Sequence, residues 1–427
     1  MPDDLDYQMV LGSEDMNEIQ VGILGMLSRV EKRSEQRVVA MNLLAPQCIS
    51  IVGQPGGGKS YTLGVLQESS TTPCPYLARV PAPRCVIQIH YADNDSHKPE
   101  FLTSVHPNSN PKELDLLKRA YPKGVPTGIA DVMMLAAPDM VERRRKEFPG
   151  VNIQPLTLNL LELSGSQWKY LMGAVGDQSI PVRVVKNIIR DLDMRSDLTA
   201  GVNHLTLQNI ANAIDNSEDG KLLNIAERKM AKIRLAIASR FIDENGPGIG
   251  SYVKPGRLII VDARDDFMEK QEVFSLLLVL LQIFSGATYQ GKVVNKTVVF
   301  DEAHQYLSDD FKDLVDGLIS LIRVMRHKST TICVASQDPL SIPQRVLELS
   351  TQFIVHKMIS PKWLRHIQDV NSALELLTPN KVAELGHGQA YFWSQKCTED
   401  HFTRKAEQIL IRPRFSHHGG FTKVATS

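Results

Sequence analysis

The chain has 427 residues, 43% hydrophobic and 22% charged, with 48 basic and 48 acidic side chains and a formal net charge of zero. That is the composition of a globular protein with a sizeable core and room for two or three domains. It argues against a protein that coats nucleic acid with its whole surface, while leaving room for basic groups gathered in a groove or ring lumen.

No apolar run is long enough for a transmembrane helix, and the acidic start Met1-Pro2-Asp3-Asp4 lacks the basic opening of a secretory signal. A cytoplasmic protein with no membrane partner is therefore expected. Cys48, Cys74, Cys85, Cys333 and Cys397 are scattered and form no CxxC pair. Neither a zinc site nor a disulfide framework is expected from them.

Residues 1–46 read as an N-terminal helical segment, because the apolar residues from Asn17 onward recur roughly at helical period. The run Cys48-Ile49-Ser50-Ile51-Val52 then reads as a strand ending in a glycine-rich turn. Similar runs centre on Ile87, Ile259, Val299, Cys333, Ile354 and Phe392. Being short, apolar and not alternating, they resemble strands buried on both faces. Helical patterns separate several of them, which predicts an α/β layered fold with a mostly parallel sheet. Between residues 108 and 250 strand-like runs become rare, so this stretch is expected to be a largely helical insertion splitting the core. The expected organisation is a helical segment at 1–46, a core at 47–107, the insertion at 108–250, the second core part at 251–411 and a C-terminal tail at 412–427.

The strongest motif is Gly53-Gln54-Pro55-Gly56-Gly57-Gly58-Lys59-Ser60, which fits G-x-x-x-x-G-K-[ST] with a strand before it and a helix-competent run from Tyr61 after it. Its glycines let successive backbone N–H groups turn toward phosphate oxygens, and the following helix N-terminus favours anions. Lys59 would reach the β- and γ-phosphates of ATP, and the Ser60 hydroxyl would bind Mg²⁺. Asp301-Glu302 ends the run Val298-Val299-Phe300, at the strand edge where open α/β sheets bind ligands. Asp301 would belong to the Mg²⁺ shell. Glu302 would polarise the attacking water as general base. The bland alternatives, a glycine-rich turn and an ordinary acidic strand end, are each weakened by the presence of the other motif.

Asp301-Glu302-Ala303-His304 spells the DEAH box of one helicase superfamily, but the Q-x-x-G-R-x-G-R element of those helicases is missing from the sequence. The ordered blocks "GRLIIVD", "VVFDEAHQYL", "MRHKSTTICVASQDPLSIP" and "IRPRFSHHGG" instead resemble the HerA group of ring-forming DNA translocases within the HerA/FtsK P-loop ATPases. The resemblance implies a RecA-like P-loop NTPase core. It implies that Gln337 is the polar sensor at the tip of the strand after the acidic pair. It implies that Arg326, or alternatively Arg323, reaches a neighbouring subunit's ATP site as an arginine finger. It further implies a homohexamer that moves double-stranded DNA, working beside a nuclease in end processing or anti-phage defence. Two departures stand out. The β-barrel usual before the P-loop has no room in 52 residues, and the acidic segment after the second strand is matched only loosely, with Glu100 the candidate for the acidic role and a plain polar loop the equal alternative. Arg143-Arg144-Arg145-Lys146 is a candidate DNA contact, with a solvated helical face as the plainer reading. A motor acting on protein and an ATP-binding assembly scaffold are the rival functions.

Overall fold

The structure is a computed structural model describing residues 5–28, 37–92, 98–172, 179–198, 203–265, 268, 270–307, 312–325 and 327–419. Among these described residues sixteen strands form in chain order: β1 Met9–Leu11, β2 Val21–Leu27, β3 Val38–Asn42, β4 Cys48–Val52, β5 Ala78–Arg79, β6 Cys85–His90, β7 Asp131–Ala136, β8 Asn152–Pro155, β9 Arg257–Asp262, β10 Thr288–Tyr289, β11 Lys292–Val293, β12 Lys296–Phe300, β13 Thr330–Ser336, β14 Gln352–Val355, β15 Gln389–Ser394 and β16 Glu407–Ile411. All but the β10–β11 hairpin join one 14-stranded sheet, in the order β1-β3-β2-β16-β15-β14-β4-β13-β12-β6-β9-β7-β8, with β5 on β2. From β14 to β8 every pairing is parallel. From β14 through β15, β16 and β2 to β3 the pairings are antiparallel.

The parallel strands are apolar on both sides because both faces are covered. On one face Ile49, Ile51, Val86, Leu258, Ile260, Val299 and Cys333 pack against Leu63, Val65 and Leu66 of the helix Lys59–Thr71, here α1. On the other, Cys48, Ile87, Ile259, Val298, Phe300 and Ile332 meet the apolar helix Lys270–Gly286 and the helical block beyond it. Parallel pairing also aligns the strand ends. Val52 sits beside Ser336 and Val355, and Phe300 beside Ile89 and Val334. The loops that leave these strands therefore converge on one edge, the usual place for a ligand in an open α/β sheet.

Two expectations about organisation change. Among the described residues of 1–46 there is no helix: β1, β2 and β3 lie here. The run Val21–Leu27 is inserted between β16 and β3, so consecutive apolar residues are buried on both sides of the sheet rather than along one helical stripe. Gly25 marks the register shift between β2 and β3, and a Cβ there would collide with the Leu410 carbonyl. Within residues 108–250, β7 and β8 belong to the core sheet, so the helical part is narrower. It is carried by Gly165–Leu171, Ile180–Leu198, Leu207–Asn216 and Ile225–Ser239. All five cysteines are buried and free. No helix among the described residues is long and apolar enough to cross a membrane.

Candidate nucleotide site

The glycine-rich turn leaves β4 and delivers Lys59 at the first position of α1. Gly56 and Gly58 take φ of 70° and 104°, the left-handed region in which glycine is unstrained. The turn is pinned from beside: Gly53 N–H donates to the Ser336 carbonyl (3.3 Å) and Gln54 N–H to the Lys357 carbonyl (2.9 Å). Pro55 and Gly56 are exposed, so the cradle opens outward. The Lys59 ammonium is buried and donates to the Gln54 carbonyl (3.1 Å). Its burial lowers its pKa, against the opposing pull of Glu302, Asp301 and Glu100.

Those carboxylates stand around it. Asp301 is buried at the end of β12. Its Oδ2 accepts from Gln88 Nε2 (3.3 Å) and its Oδ1 from the Glu302 N–H (3.0 Å). Burial, then the neighbouring Glu302 and Glu100, push its carboxyl up to about 8. Glu302 sits at φ 49°, a left-handed backbone that a side-chain-bearing residue adopts at a cost of about 1–2 kcal/mol. That turn swings its carboxylate toward the tip of β13, where Gln337 Nε2 donates to Glu302 Oε1. Tyr306 fixes the turn from below, its hydroxyl donating to the Asp301 carbonyl (2.6 Å). The structure thus brings Lys59, Asp301, Glu302 and Gln337 together.

Other singled-out residues fall differently. Ser60 is half-buried at the second position of α1. The Tyr61 ring turns away from the cradle, its hydroxyl donating to Glu113 Oε2 (3.1 Å) and accepting from the Arg414 N–H (2.8 Å). Arg326 lies outside the described residues. Arg323 is exposed near the end of the helix Lys312–Val324, before the start of β13 and so at the opposite sheet edge from this chain's own cradle. Arg144 is no candidate for DNA contact. It is fully buried, with Nε donating to Asp262 Oδ2 (2.6 Å), because the helix Val141–Glu147 turns this side chain under β9.

Three residues here carried no signal in the sequence pattern. His356 follows β14 and lies under the turn, where a Cβ on Gly53 would strike it. Its Nε2 bonds Thr62 Oγ1 (3.0 Å), and burial, aided by Lys59, holds its pKa down at about 3. The imidazole is therefore neutral and adds no charge beneath the turn. Gln88 and Gln67 connect Asp301 to α1 through Gln67 Nε2 donating to Gln88 Oε1 (2.5 Å). Polarity at buried strand and helix positions is all that distinguishes them, and without neighbours in space it points to no role.

Among the described residues no group of three or more acidic, histidine or cysteine side chains is gathered to hold a metal by itself, so a hard divalent cation here would share its shell with the nucleotide's oxygens. Three carboxylates face one lysine, and two of their oxygens, Glu302 Oε2 and Glu100 Oε1, are buried without a hydrogen-bond partner. Oxygen donors with surplus negative charge are what Mg²⁺ binds.

Residues 254–415 match the family described as helicase HerA-like C-terminal. The chain carries a HerA-like region. It supplies Asp301, Glu302, Gln337, His356, Arg412 and Arg414, whereas the cradle at 53–60 precedes it. The whole fold is similar to that of VirB4 of Thermoanaerobacter pseudethanolicus, at 12% identity and a TM-score of 0.55 over 94% of this chain and 97% of that one. It is also similar to the bacterial conjugative coupling protein TrwB, at 10% identity and a TM-score of 0.51 over 88% of each chain. At such identities the likeness is one of fold, a mostly parallel P-loop ATPase sheet built around the HerA-like region. No curated protein matches the sequence.

Proposed function

We propose that this chain is a Mg²⁺-dependent ATPase of the HerA type that assembles as a homohexamer and translocates double-stranded DNA, with a nuclease as working partner. The observation that carries the hydrolytic reading is the contact between Gln337 and Glu302 beside buried Lys59. A scaffold that only binds nucleotide would not need a strained acid held by an amide from the next strand.

In this reading the backbone N–H groups of 53–60 and Lys59 hold the phosphates. Ser60 and Asp301 would hold Mg²⁺, which when bound neutralises charge on the β- and γ-phosphates. Glu302 takes the proton of the attacking water. Gln337 fixes the carboxylate that does so, and reports its state to β13. Arg323 lies across the sheet from the chain's own cradle, so in this reading Arg323, or alternatively Arg326, serves a neighbouring subunit's site. That geometry favours a ring over a monomer.

A motor acting on protein shares all of this chemistry, and the VirB4 and TrwB likenesses do not separate the two. ATP turnover by the purified protein, measured with and without linear duplex DNA, does. Turnover stimulated by duplex supports the DNA motor. Turnover indifferent to DNA removes it and leaves the protein motor. Binding without turnover leaves the scaffold.

A further inference from the structure

Two glutamines are buried between the sheet and α1. Gln88 of β6 stands among Val86, Leu258, Ile260 and Val299 on this face, and Val299 of β12 is its partner in the pairing of the two strands. Gln67 of α1 meets it from the helix and is buried as well. A buried amide costs free energy unless it is hydrogen-bonded, and a methionine of similar size would fill the same space without that cost. The polarity at 67 and 88 therefore answers to something beyond packing. Gln88 Nε2 donates to Asp301 Oδ2 (3.3 Å), and Gln67 Nε2 donates to Gln88 Oε1 (2.5 Å). The other Asp301 oxygen, Oδ1, accepts from the Glu302 N–H (3.0 Å).

The sense of this chain is set by its acidic end. A carboxylate that receives a cation has no proton to give, so the amide facing it must present its NH₂ group. Gln88 Oε1 then turns away from Asp301 and needs a donor, which Gln67 Nε2 supplies. Gln67 commits its NH₂ group here although its own Oε1 is left buried without a partner. With Gln88 reversed, an amide oxygen would face a carboxylate oxygen.

The helix that carries Gln67 is itself held in place by the next residue. Glu68 is fully buried, and the segment following β16 closes on it. Arg412 Nη1 donates to Glu68 Oε1 (2.6 Å), as does the Phe415 N–H (3.1 Å). The Ser416 N–H (2.9 Å) and hydroxyl (2.6 Å) donate to Glu68 Oε2. Gly64, one helical turn earlier, is explained by the same contact, because a Cβ there would fall within the Arg414 guanidinium. These charge-assisted bonds fix the rotation of α1, and with it the place of the Gln67 amide.

We propose that Gln88 is a positioning residue that holds the Asp301 carboxylate in its metal-receiving orientation, with Gln67 fixing the sense of the Gln88 amide. The inference rests on the ATPase reading above. Groups that orient a metal ligand in this way change metal affinity when removed, even though they never touch the ion.

The test compares the full-length protein with Gln88→Met and with the double variant Gln67→Met/Gln88→Met, in which both amides give way together to apolar side chains. Binding of ATPγS is measured by calorimetry in EDTA and across a Mg²⁺ titration, with thermal melting in parallel. The expected result is that both variants bind nucleotide nearly as the parent does in EDTA but need about 10-fold more Mg²⁺ to reach the tight state. Gln67→Met, which keeps Gln88 and frees its amide to turn, should show a smaller shift in the same direction. An unchanged Mg²⁺ requirement in the Gln88 variants would overturn the proposal. Equal losses with and without Mg²⁺ would do the same, by making the pair merely structural. If the Gln88 variants fail to fold, Gln67→Met decides, and no shift there overturns the directed chain. All of these outcomes leave the ATPase reading standing. A parent protein that binds no nucleotide at all would remove that reading, and the proposal with it.

Discussion

Two buried ionic clusters sit at the same edge of the same sheet, and they are built on opposite principles. At the end of β9, Asp262 is saturated. It accepts from Arg144 Nε (2.6 Å) and from Arg264 Nε (2.7 Å) and Nη2 (2.8 Å), while Glu147 lies 3.2 Å from Arg144 and 3.6 Å from Arg264. Two strands away, Asp301, Glu302 and Glu100 crowd a single lysine and leave Glu302 Oε2 and Glu100 Oε1 without a hydrogen bond, with His304 Nδ1 3.4 Å from the former. A saturated cluster has nothing to offer a ligand, so its energy goes into holding β9 to the helix Val141–Glu147. An undersatisfied one keeps its electrostatic cost until a cation and a polyanion arrive. Buried charge by itself does not mark a site; incomplete pairing does.

The comparison breaks most readily at the saturated end. Arg144→Met strands Asp262 without its partner, and urea unfolding should show a loss of about 3–5 kcal/mol. Turnover per folded molecule should hold, because the cluster touches no nucleotide. A loss of turnover at full folding would merge the two clusters into one site.

At the other end, Glu302→Gln should cut ATP turnover by about 100-fold or more, the usual worth of a general base. Its melting temperature should stay level or rise, since the change removes a like charge from Asp301. If turnover survives, Glu302 is not the base.

Gly64→Ala tests the clamp between α1 and the following segment. Alanine is the better helix former by about 1 kcal/mol, yet its methyl group must displace Arg414. Overpacking should win, with a net loss of about 1–2 kcal/mol in denaturant. A stabilised variant would mean that Arg414 moves aside freely.

A cumulative effect is expected from pH. His356 is held near 3 in the fold, whereas an unfolded histidine titrates at about 6.5. Between those values the unfolded chain binds a proton that the fold refuses, so stability falls as pH drops through that window, by at most about 1.4 kcal/mol per pH unit. His356→Gln should flatten that slope in chemical denaturation measured from pH 7 to pH 4. An unchanged slope would place the acid sensitivity elsewhere.

How much of this was legible in the sequence depended on whether the information was local. The cradle and the acidic pair are contiguous, and each carries its own strand. Lys59, Asp301 and Glu302 could therefore be assigned to one sheet edge from the residues alone, and Gln337 through the family resemblance. The N-terminal strands could not, because a seven-residue apolar run such as Val21–Leu27 fits a helix as well as a strand until its neighbours are known. Arg144 sits in a run of basic residues that suggests a solvated face, and only the proximity of Asp262, 118 residues away, gives it a different meaning. His356 is one polar letter after a strand. Its place beneath the cradle follows from the pairing of β14 with β4, a long-range event.

The bond between Arg412 and Glu68 spans 344 residues, and that distance has a consequence during synthesis. The helix behind the glycine-rich turn leaves the ribosome carrying an acid destined for full burial, and its guanidinium partner follows 344 residues later. A nascent chain can therefore form the glycine-rich turn long before it can neutralise the helix behind it. A chain that stopped short of Arg412 would leave Glu68, a fully buried acid, without the guanidinium that pairs it.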